Sequence, residues 1–392
     1  MAVTEGPTDR AGEHRAMSAS AAERGEKPEV QAVDVAVYTV PTDAPEGDGT
    51  LTWDSTTLVL VRVRSGRTEG LGYTYGAPAT AQVISGQLAD IVVGRCAWDV
   101  PAVHEAMSRG VRNAGRPGLI AGAISAVDVA LWDLKARLLG LPLVRLLGAS
   151  RAEVPVYGSG GFTTYGHQQQ DRQLRTWYEE QGITRVKIKI GESWGAAQDR
   201  DSDRVARARA SIGDNAELYV DANGAYTRKQ AIRMATHLEA HGVSWFEEPV
   251  SSDDLSGLAQ IRAAITADVA AGEYGYSLAY FQHMLAAGAV DCLQADVTRC
   301  GGITVWLRTA ALAEANGLQL SGHCAPHLHA HAAASVPNLR HLEWFHDHAR
   351  IETLFFTGAL DPVGGTLRPG ADGRAGHGLR LRSEVAEPYR TG

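Results

Sequence analysis

Two lysines on a short apolar segment are the first residues in this sequence with a chemical signature. Residues 185–191 read Arg-Val-Lys-Ile-Lys-Ile-Gly, and their β-branched residues favour a buried strand that stops at Gly191. Lys187 and Lys189 then share one face of the strand, where burial disfavours a charged ammonium. Because lysine can lose its proton and arginine cannot, the pair indicates a general base. An alternative interpretation of the same pattern is a strand at the edge of a sheet with two solvated lysines.

The segments around these lysines predict a parallel α/β architecture. From about residue 153 onward, short apolar strands alternate with helical stretches, which is typical of βα units. Eight such strands favour a (β/α) barrel. A doubly wound sheet stays open as an alternative, although no G-x-G-x-x-G follows the first strand. The predicted strands are VPVYGSG, RVKIKIG, ELYVDANG, SWFEEPV, ADVAAGEY, VDCLQADV, LQLSGHC and RHLEWF.

A polar residue stands at the end of each of seven consecutive predicted strands. Barrel enzymes carry their chemistry at the C-terminal ends of the strands, and core packing does not explain seven polar ends in succession. The residues are Lys187 and Lys189 on the second strand, followed in strand order by Asp221, Glu247, Glu273, Asp296, His323 and Glu343.

Three of these residues are carboxylates on neighbouring strands. Asp221, Glu247 and Glu273 offer only oxygen ligands, and an all-oxygen set suits Mg²⁺ with water or substrate in the open positions. We expect Glu248 to face away from the site, because adjacent strand residues point to opposite faces. Asn223 lies two residues beyond Asp221 and is expected to contact the substrate or a metal-bound water.

The remaining strand ends supply acid–base groups. Asp296 is expected to accept a hydrogen bond from His323 and so to orient it as a base, with Lys189 facing it across the mouth. Lys187 is expected to stay charged, to lower the pKa of Lys189, and to help hold a substrate carboxylate. Glu343, opposite the metal, is expected to donate a hydrogen bond in its protonated form. This inventory describes proton abstraction next to a carboxylate, with the cation and Glu343 stabilising an enediolate.

At these positions the chain resembles the enolase superfamily and, within it, the mandelate racemase subgroup. The resemblance covers roughly residues 30–385. It implies an α/β fold, a (β/α)7β modified TIM barrel with an N-terminal α+β capping domain. It also implies Mg²⁺ on the three carboxylates, with Lys189 and the His323–Asp296 pair as bases. The motifs are K-I-K at 187–189, V-D-A-N at 220–223, F-E-E-P at 246–249, G-E at 272–273, Q-A-D-V-T-R-C-G-G at 294–302, S-G-H at 321–323, H-L-E-W-F at 341–345 and, in the N-terminal part, S-A-V-D-V-A-L-W-D-L-K at 125–135.

Four regions are predicted along the chain. Residues 1–28 hold almost no large apolar side chains and are expected to form a disordered leader. Residues 29–148 form the capping domain, and residues 149–345 form the barrel. Residues 346–392 are expected to pack back on the capping domain. Within the capping domain, one amphipathic helix is predicted between Gly118 and Gly140, and the polar loop at 41–53 and residues 73–78 are expected to set substrate specificity.

Composition excludes several classes of partner. The net charge is −8 and the pI is about 6.0, so nothing indicates binding to nucleic acid or to an anionic membrane. The four cysteines lack disulfide or zinc spacing, and no signal peptide is recognised at the N-terminus. We therefore expect a cytoplasmic enzyme that acts on a small hydroxy acid or acid sugar, and we expect it to be a homo-oligomer.

Two reactions fit the same residues. In an acid-sugar dehydratase, a base takes the α-proton and His323 protonates the leaving β-hydroxyl, which gives a 2-keto-3-deoxy acid. In a racemase or epimerase of a 2-hydroxy acid, Lys189 and His323 serve opposite faces. Dehydration is favoured, because it is the commoner activity among relatives with this set. A zinc reading of His323, Cys324, His327, His329 and His331 is disfavoured, because the last three fall where a barrel helix is predicted.

Overall fold

The computed structural model describes residues 27–392, which form an N-terminal α+β domain and a closed barrel. The predicted leader therefore lies outside the described residues, apart from Lys27 and Pro28. Pro28 is buried, and its carbonyl accepts a hydrogen bond from Ala97 N–H at 2.8 Å. The ordered domain thus includes Pro28, one residue earlier than the predicted boundary.

Three antiparallel strands form the sheet of the N-terminal domain, in the order β1 (Ala32–Gly47), β2 (Thr52–Ser65) and β3 (Thr68–Tyr75). The first two strands make a long hairpin. The prediction of an open loop over residues 41–53 is wrong, because pairing resumes at Glu46↔Trp53 and Gly47↔Thr52 after an irregularity that follows Pro41. The connection between the strands is therefore only four residues long.

Helices pack on one face of this sheet. The longest, α4, is buried along most of its length rather than amphipathic. One side packs on β3, and the other contacts the barrel, where Trp132 Nε1 donates to Thr304 Oγ1 at 2.9 Å. The helices are α1 (Ala79–Val83), α2 (Ala89–Val92), α3 (Val100–Gly110), α4 (Leu119–Leu138) and α5 (Leu143–Leu147), with a π-helical turn at Ile84–Leu88.

Eight parallel strands close into a barrel. The eighth strand pairs with the first through Leu342↔Val156 and three further residue pairs, which excludes the open doubly wound sheet and confirms the predicted fold class. The strands are β4 (Val154–Gly160), β5 (Arg185–Lys189), β6 (Glu217–Asp221), β7 (Val243–Glu247), β8 (Asp268–Ala271), β9 (Cys292–Ala295), β10 (Gln319–Gly322) and β11 (Leu339–Phe345).

Helices connect successive barrel strands and cover the outside of the barrel, as the alternating pattern predicts. They are α6 (His167–Arg175), α7 (Glu192–Gly195), α8 (Gln198–Ile212), α9 (Arg228–Ala240), α10 (Leu255–Arg262), α11 (Leu278–Ala286), α12 (Gly302–Ala315) and α13 (Pro326–Ala333), with a π-helical turn at Thr176–Glu180 after α6.

The C-terminal residues contact both domains. Asp133 of α4 accepts hydrogen bonds from the N–H groups of Leu71 and His377, each at 2.8 Å, so this buried carboxylate ties the segment to the capping sheet. Thr366 and Leu367 instead extend the barrel sheet beside β4. The elements are α14 (His346–Phe355), β12 (Phe356–Thr357), β13 (Thr366–Leu367), β14 (Arg380–Leu381) and α15 (Ser383–Ala386).

None of the helices within residues 27–392 combines the length and the apolar character that a membrane span requires.

The contact between β3 and α4 depends on glycine. A Cβ at Gly72 would collide with the Ala126 carbonyl and the Ala130 nitrogen, whereas one at Gly86 would meet nothing within 4 Å. We predict that Gly72→Ala lowers the free energy of unfolding by about 1–3 kcal/mol, because the helix must move away from the sheet. Gly86→Ala is the control and is expected to be neutral or stabilising. Equal urea midpoints for both variants would contradict this packing account.

Candidate active site

The barrel brings the predicted polar residues to one mouth. Each lies at or within two residues of the C-terminal end of its strand, because parallel strands present these ends on the same side. All are at most 6 % exposed, so the site is a cluster of buried charges and not a solvated rim. The residues are Lys187, Lys189, Asp221, Glu247, Glu273, Asp296, His323 and Glu343.

Asp221, Glu247 and Glu273 converge as predicted. One carboxylate oxygen from each lies within 4.8 Å of the others, and all three side chains are buried. Three buried carboxylates repel one another, and burial makes that repulsion expensive. Their all-oxygen donor set fits a hard divalent cation such as Mg²⁺. The residues present therefore fit the metal that the sequence predicts.

Lys187 lies beneath this trio and is fully buried. Its Nζ lies 2.6 Å from Glu247 Oε1 and 2.8 Å from Glu343 Oε1. Burial alone would lower the pKa of Lys187, but these two carboxylates outweigh it and hold the pKa well above its usual range. These contacts favour the ammonium form of Lys187 that is expected from the sequence. Its ammonium is already shared between two protein carboxylates, however, which leaves it poorly placed to hold a substrate carboxylate.

The second oxygen of Glu247 is held by two neutral donors. Trp245 Nε1 and Gln294 Nε2 each donate to Oε2 at 2.9 Å. Burial raises the pKa of Glu247 to about 8, although Lys187 opposes the shift. These donors orient one carboxylate oxygen, as the outer partners of metal ligands generally do.

Lys189 contacts Asp221 directly, with Nζ 2.5 Å from Oδ2. Burial and Lys187 lower the pKa of Lys189, but Asp221 and the more distant Glu273 raise it, and the net shift is upward. This differs from the expected lowering. The contact with Asp221 therefore favours the ammonium form of Lys189.

His323 and Asp296 form the predicted pair. His323 Nδ1 lies 2.9 Å from Asp296 Oδ2, while Nε2 points towards Glu273 Oε2 at 3.3 Å. Thr298 donates to Asp296 Oδ1 through both its backbone N–H and its hydroxyl. Burial opposes the imidazolium, but the acidic groups around the ring outweigh it and raise the pKa of His323 well above its usual range.

Glu343 differs from its predicted protonation state. Its Oε1 contacts Lys187, and its Oε2 accepts a hydrogen bond from Cys324 N–H at 2.9 Å. Burial raises its pKa, but Lys187 and His323 outweigh that effect and hold the pKa well below its usual range. In these surroundings Glu343 is a carboxylate that accepts hydrogen bonds.

The prediction that Glu248 faces away from the site is wrong. Strand β7 ends at Glu247, and Glu248 has a φ of +38°, so the strand alternation behind the prediction no longer applies. The side chain is buried and lines a cavity together with Asn223 and Tyr274. Burial and the neighbouring Glu273 raise the pKa of Glu248 well above its usual range.

Asn223 lies beside the carboxylate trio. Its backbone N–H donates to Asp221 Oδ1 at 2.8 Å, and its side-chain Oδ1 is buried without a hydrogen-bond partner among the described residues. The free side-chain oxygen is compatible with a ligand contact, and that contact stays a prediction.

Two further residues at the site had no role in the sequence interpretation. Arg299 Nη1 lies 3.3 Å from Glu273 Oε1, and its Nε lies 3.5 Å from Asp296 Oδ2. Cys324, which was considered from the sequence only as part of a disfavoured zinc site, has its Sγ 3.4 Å from His323 Nε2. Arg299 lies inside the Q-A-D-V-T-R-C-G-G motif, and its place in that motif is the sequence feature that could have identified it as a site residue.

The tip of the β1–β2 hairpin covers part of the mouth. Gly49 O accepts a hydrogen bond from Trp194 N–H at 2.9 Å. A Cβ on Gly49 would lie 2.8 Å from the carbonyls of Ile190 and Ala222, so only glycine permits this approach to the ends of β5 and β6. Thr163, after the first barrel strand, donates its hydroxyl to Asp48 O at 2.7 Å.

The histidines of α13 do not extend the site. His327 pairs with Glu352, His329 Nε2 accepts from Val297 N–H at 2.8 Å, and His331 accepts from Val144 N–H at 3.2 Å. Each of these histidines hydrogen-bonds to a different part of the fold, so they do not converge on a common metal site.

A barrel with a carboxylate trio at its mouth, a lysine on one side and a His–Asp pair on the other defines the enolase class of proton-abstracting enzymes. Residues 32–148 match the N-terminal domain of the mandelate racemase / muconate lactonizing enzyme family, and residues 169–385 match the enolase C-terminal domain-like family. The chain therefore belongs to the mandelate racemase / muconate lactonizing enzyme family of the enolase superfamily, which confirms the resemblance predicted from its motifs.

Several characterised or solved relatives resemble the whole chain. A mandelate racemase/muconate lactonizing enzyme-like protein from Rubrobacter xylanophilus is 50% identical, with a TM-score of 0.90, over 93% of this chain and 100% of that one. The L-talarate/galactarate dehydratase of Salmonella typhimurium is 34% identical over 83% of this chain and 84% of its own. Its structure with Mg and L-lyxarohydroxamate has a TM-score of 0.85 at 28% identity and covers 100% of this chain and 97% of that one.

A third relative carries a different activity in its name. It is a racemase from Streptomyces coelicolor with bound magnesium, 32% identical, with a TM-score of 0.86, over 92% of this chain and 100% of that one. Other curated relatives are named as dehydratases and cycloisomerases. The family is thus settled, while its members differ in reaction.

The hydrogen bond from Gln294 to Glu247 allows a prediction about Mg²⁺ affinity. We expect Gln294→Met to weaken Mg²⁺ binding by about 10- to 100-fold, because Glu247 loses one of the two donors that orient its Oε2. Isothermal titration calorimetry measures this affinity. Gln82→Met, on the exposed surface of α1, is the control and is expected to bind Mg²⁺ as the unaltered protein does. Unchanged affinity in Gln294→Met would show that this donor does not support the trio.

Proposed function

We propose that this chain is a Mg²⁺-dependent acid-sugar dehydratase that converts a 2,3-dihydroxy acid into a 2-keto-3-deoxy acid. The observation that carries the proposal is the convergence of three buried carboxylates with a lysine and an oriented histidine at one mouth. The dehydratase relative of similar length supports the substrate class.

Mg²⁺ is proposed to bind Asp221, Glu247 and Glu273. Solved relatives that contain magnesium support this assignment. When bound, the cation supplies electrostatic stabilisation of the negative charge that develops on the substrate carboxylate. Its charge would also offset that of Asp221, which lowers the pKa of Lys189 towards the range in which an amine acts as a base.

Lys189 and His323 then divide the proton transfers. Lys189 takes the proton from C2, and the electron pair forms the enediolate. His323, protonated at Nε2 and oriented through Nδ1 by Asp296, gives its proton to the C3 hydroxyl as the C–O bond breaks. Water leaves, and the resulting enol tautomerises to the keto acid. Lys187 keeps Glu247 and Glu343 in place beneath these steps.

Racemisation or epimerisation of a 2-hydroxy acid is the second candidate. Two proton-transfer groups are available, one on β5 and one after β10, and a relative is named as a racemase. This reaction needs no leaving group, so a 2-hydroxy acid without a 3-hydroxyl is sufficient as substrate.

The two reactions give different products in deuterated water. We predict that, with Mg²⁺, a panel of mono- and diacid sugars yields a keto acid, detected by semicarbazide absorbance and by proton NMR. Loss of the C2 proton signal without loss of water would instead identify racemisation. If no 2-hydroxy acid shows either change, the proton-abstraction proposal is contradicted.

Variants of the site separate proton transfer from metal binding. We expect Lys189→Ala and His323→Asn each to lower turnover by at least about 100- to 10,000-fold while Mg²⁺ still binds, because neither residue is a proposed ligand. Glu247→Gln is expected to weaken Mg²⁺ binding itself. Calorimetry and steady-state kinetics on the same samples measure both properties.

The matched controls are Lys229→Ala and His237→Asn, both on the exposed face of α9. They are expected to leave turnover and Mg²⁺ affinity unchanged. Loss of Mg²⁺ binding in the Lys189 or His323 variant, with these controls intact, would overturn the assigned roles.

A further inference from the structure

A second group of side chains of the types that bind metals lies near the turn of the β1–β2 hairpin. Asp43 and Glu46 belong to β1, and His346 is the first residue of α14. One donor atom from each lies within 4.8 Å of the other two. We call these three residues the hairpin cluster. It shares no residue with the carboxylate trio at the barrel mouth.

Glu46 is the unusual member of the hairpin cluster. It is 0 % exposed, and only its Oε2 has a partner, Trp53 Nε1 at 2.9 Å. Its Oε1 is buried with no hydrogen-bond partner among the described residues. An unpartnered carboxylate oxygen in the interior costs free energy, so this atom points to a ligand that satisfies it.

The charge around Glu46 is not balanced by the protein alone. Asp347 is also 0 % exposed, and its Oδ2 has no partner in the described part of the chain. Arg350 is the nearby cation. It binds Asp347 Oδ1 at 2.5 Å and the Pro41 carbonyl at 2.8 Å. Glu46 and Asp347 thus place two buried carboxyl groups beside one guanidinium, an arrangement that a divalent cation stabilises.

We propose that the hairpin cluster is a second divalent-cation site, selective for Zn²⁺-like ions over Mg²⁺. The imidazole favours such ions, whereas Mg²⁺ prefers oxygen alone. Asp43 Oδ2 and His346 Nε2 are hydrogen-bonded at 3.0 Å, and this separation is close to the value of about 3.3 Å that two ligands of a tetrahedral Zn²⁺ adopt. A surface groove of about 670 Å³, lined by Asp43 and His346, gives an entry path.

The position of the site gives it a mechanical role. Two ligands lie on the hairpin whose tip covers the barrel mouth, and the third directly follows β11, which carries Glu343. A bound cation joins these elements and holds the hairpin against the barrel. Because no ligand is shared with the active site, the inference does not depend on the proposed reaction.

The test is Zn²⁺ stoichiometry. The full chain and each variant are dialysed against Zn²⁺ with excess Mg²⁺ present, and bound zinc is measured by mass spectrometry. We expect Glu46→Gln and His346→Gln each to bind one Zn²⁺ per chain fewer than the unaltered protein, with affinity at that site lowered at least about 100-fold. Asp43→Asn, whose side chain is 47% exposed and so tolerates substitution, is expected to do the same.

Two controls make the result specific. Asp54→Asn changes an exposed carboxylate on the same hairpin and is expected to leave zinc binding unchanged. Glu247→Gln alters the carboxylate trio and is expected to retain zinc at the hairpin cluster. Equal zinc content in the unaltered protein and the Asp43, Glu46 and His346 variants would overturn the inference. Zinc lost only in Glu247→Gln would also overturn it, while leaving the proposed function standing.

Discussion

The buried contacts of Lys187 with Glu247 and Glu343 are the interaction on which the site depends. Five of the predicted site residues are buried carboxylates at the barrel mouth, and an unpaired buried charge is expensive. One ammonium at their base, 2.6 Å from Glu247 and 2.8 Å from Glu343, offsets part of the repulsion between them. It also fixes the direction in which Glu247 presents its oxygen atoms, with Trp245 and Gln294 holding the other side of that carboxylate.

The second domain acts on this site from outside. The barrel positions every acid–base group and every proposed Mg²⁺ ligand, while the hairpin of the capping sheet reaches over the ends of β5 and β6 through Gly49. Buried carboxylates join the two domains. Asp128 of α4 accepts hydrogen bonds from the backbone and hydroxyl of Thr304 at the start of α12, and Asp133 fixes the C-terminal segment to β3. These contacts hold the capping domain, and with it the hairpin, against the barrel.

The sequence predicts the fold class and the positions of the site residues well, for a simple reason. Strand alternation and the shared direction of barrel strands carry Lys187, Asp221 and Glu247 to one place, and both can be read locally. Protonation states cannot be read in this way. The contact with Lys187, distant in sequence, lowers the pKa of Glu343, and the contact with Asp221 raises that of Lys189.

Local backbone geometry accounts for the other differences. Glu248 turns towards the site because the strand ends one residue earlier and the backbone adopts a positive φ, which no periodicity predicts. Residues 41–47 are rich in proline and polar side chains, yet they continue β1, because the hairpin is held by contacts with the barrel such as Thr163 N–H to Gly47 O at 2.8 Å. Arg299 and Gln294 contact site carboxylates through long side chains whose reach depends on the closed barrel.

The most direct test of the central claim follows the C2 hydrogen itself. An acid sugar that the protein accepts as a substrate is labelled with deuterium at C2 and incubated with the Mg²⁺-loaded protein in ordinary water. Deuterium NMR then locates the label. The account predicts that deuterium appears in the solvent at the rate of turnover, because a protein base removes it from carbon. A product that forms at the same rate with deuterium still bound to carbon would contradict proton abstraction at this site.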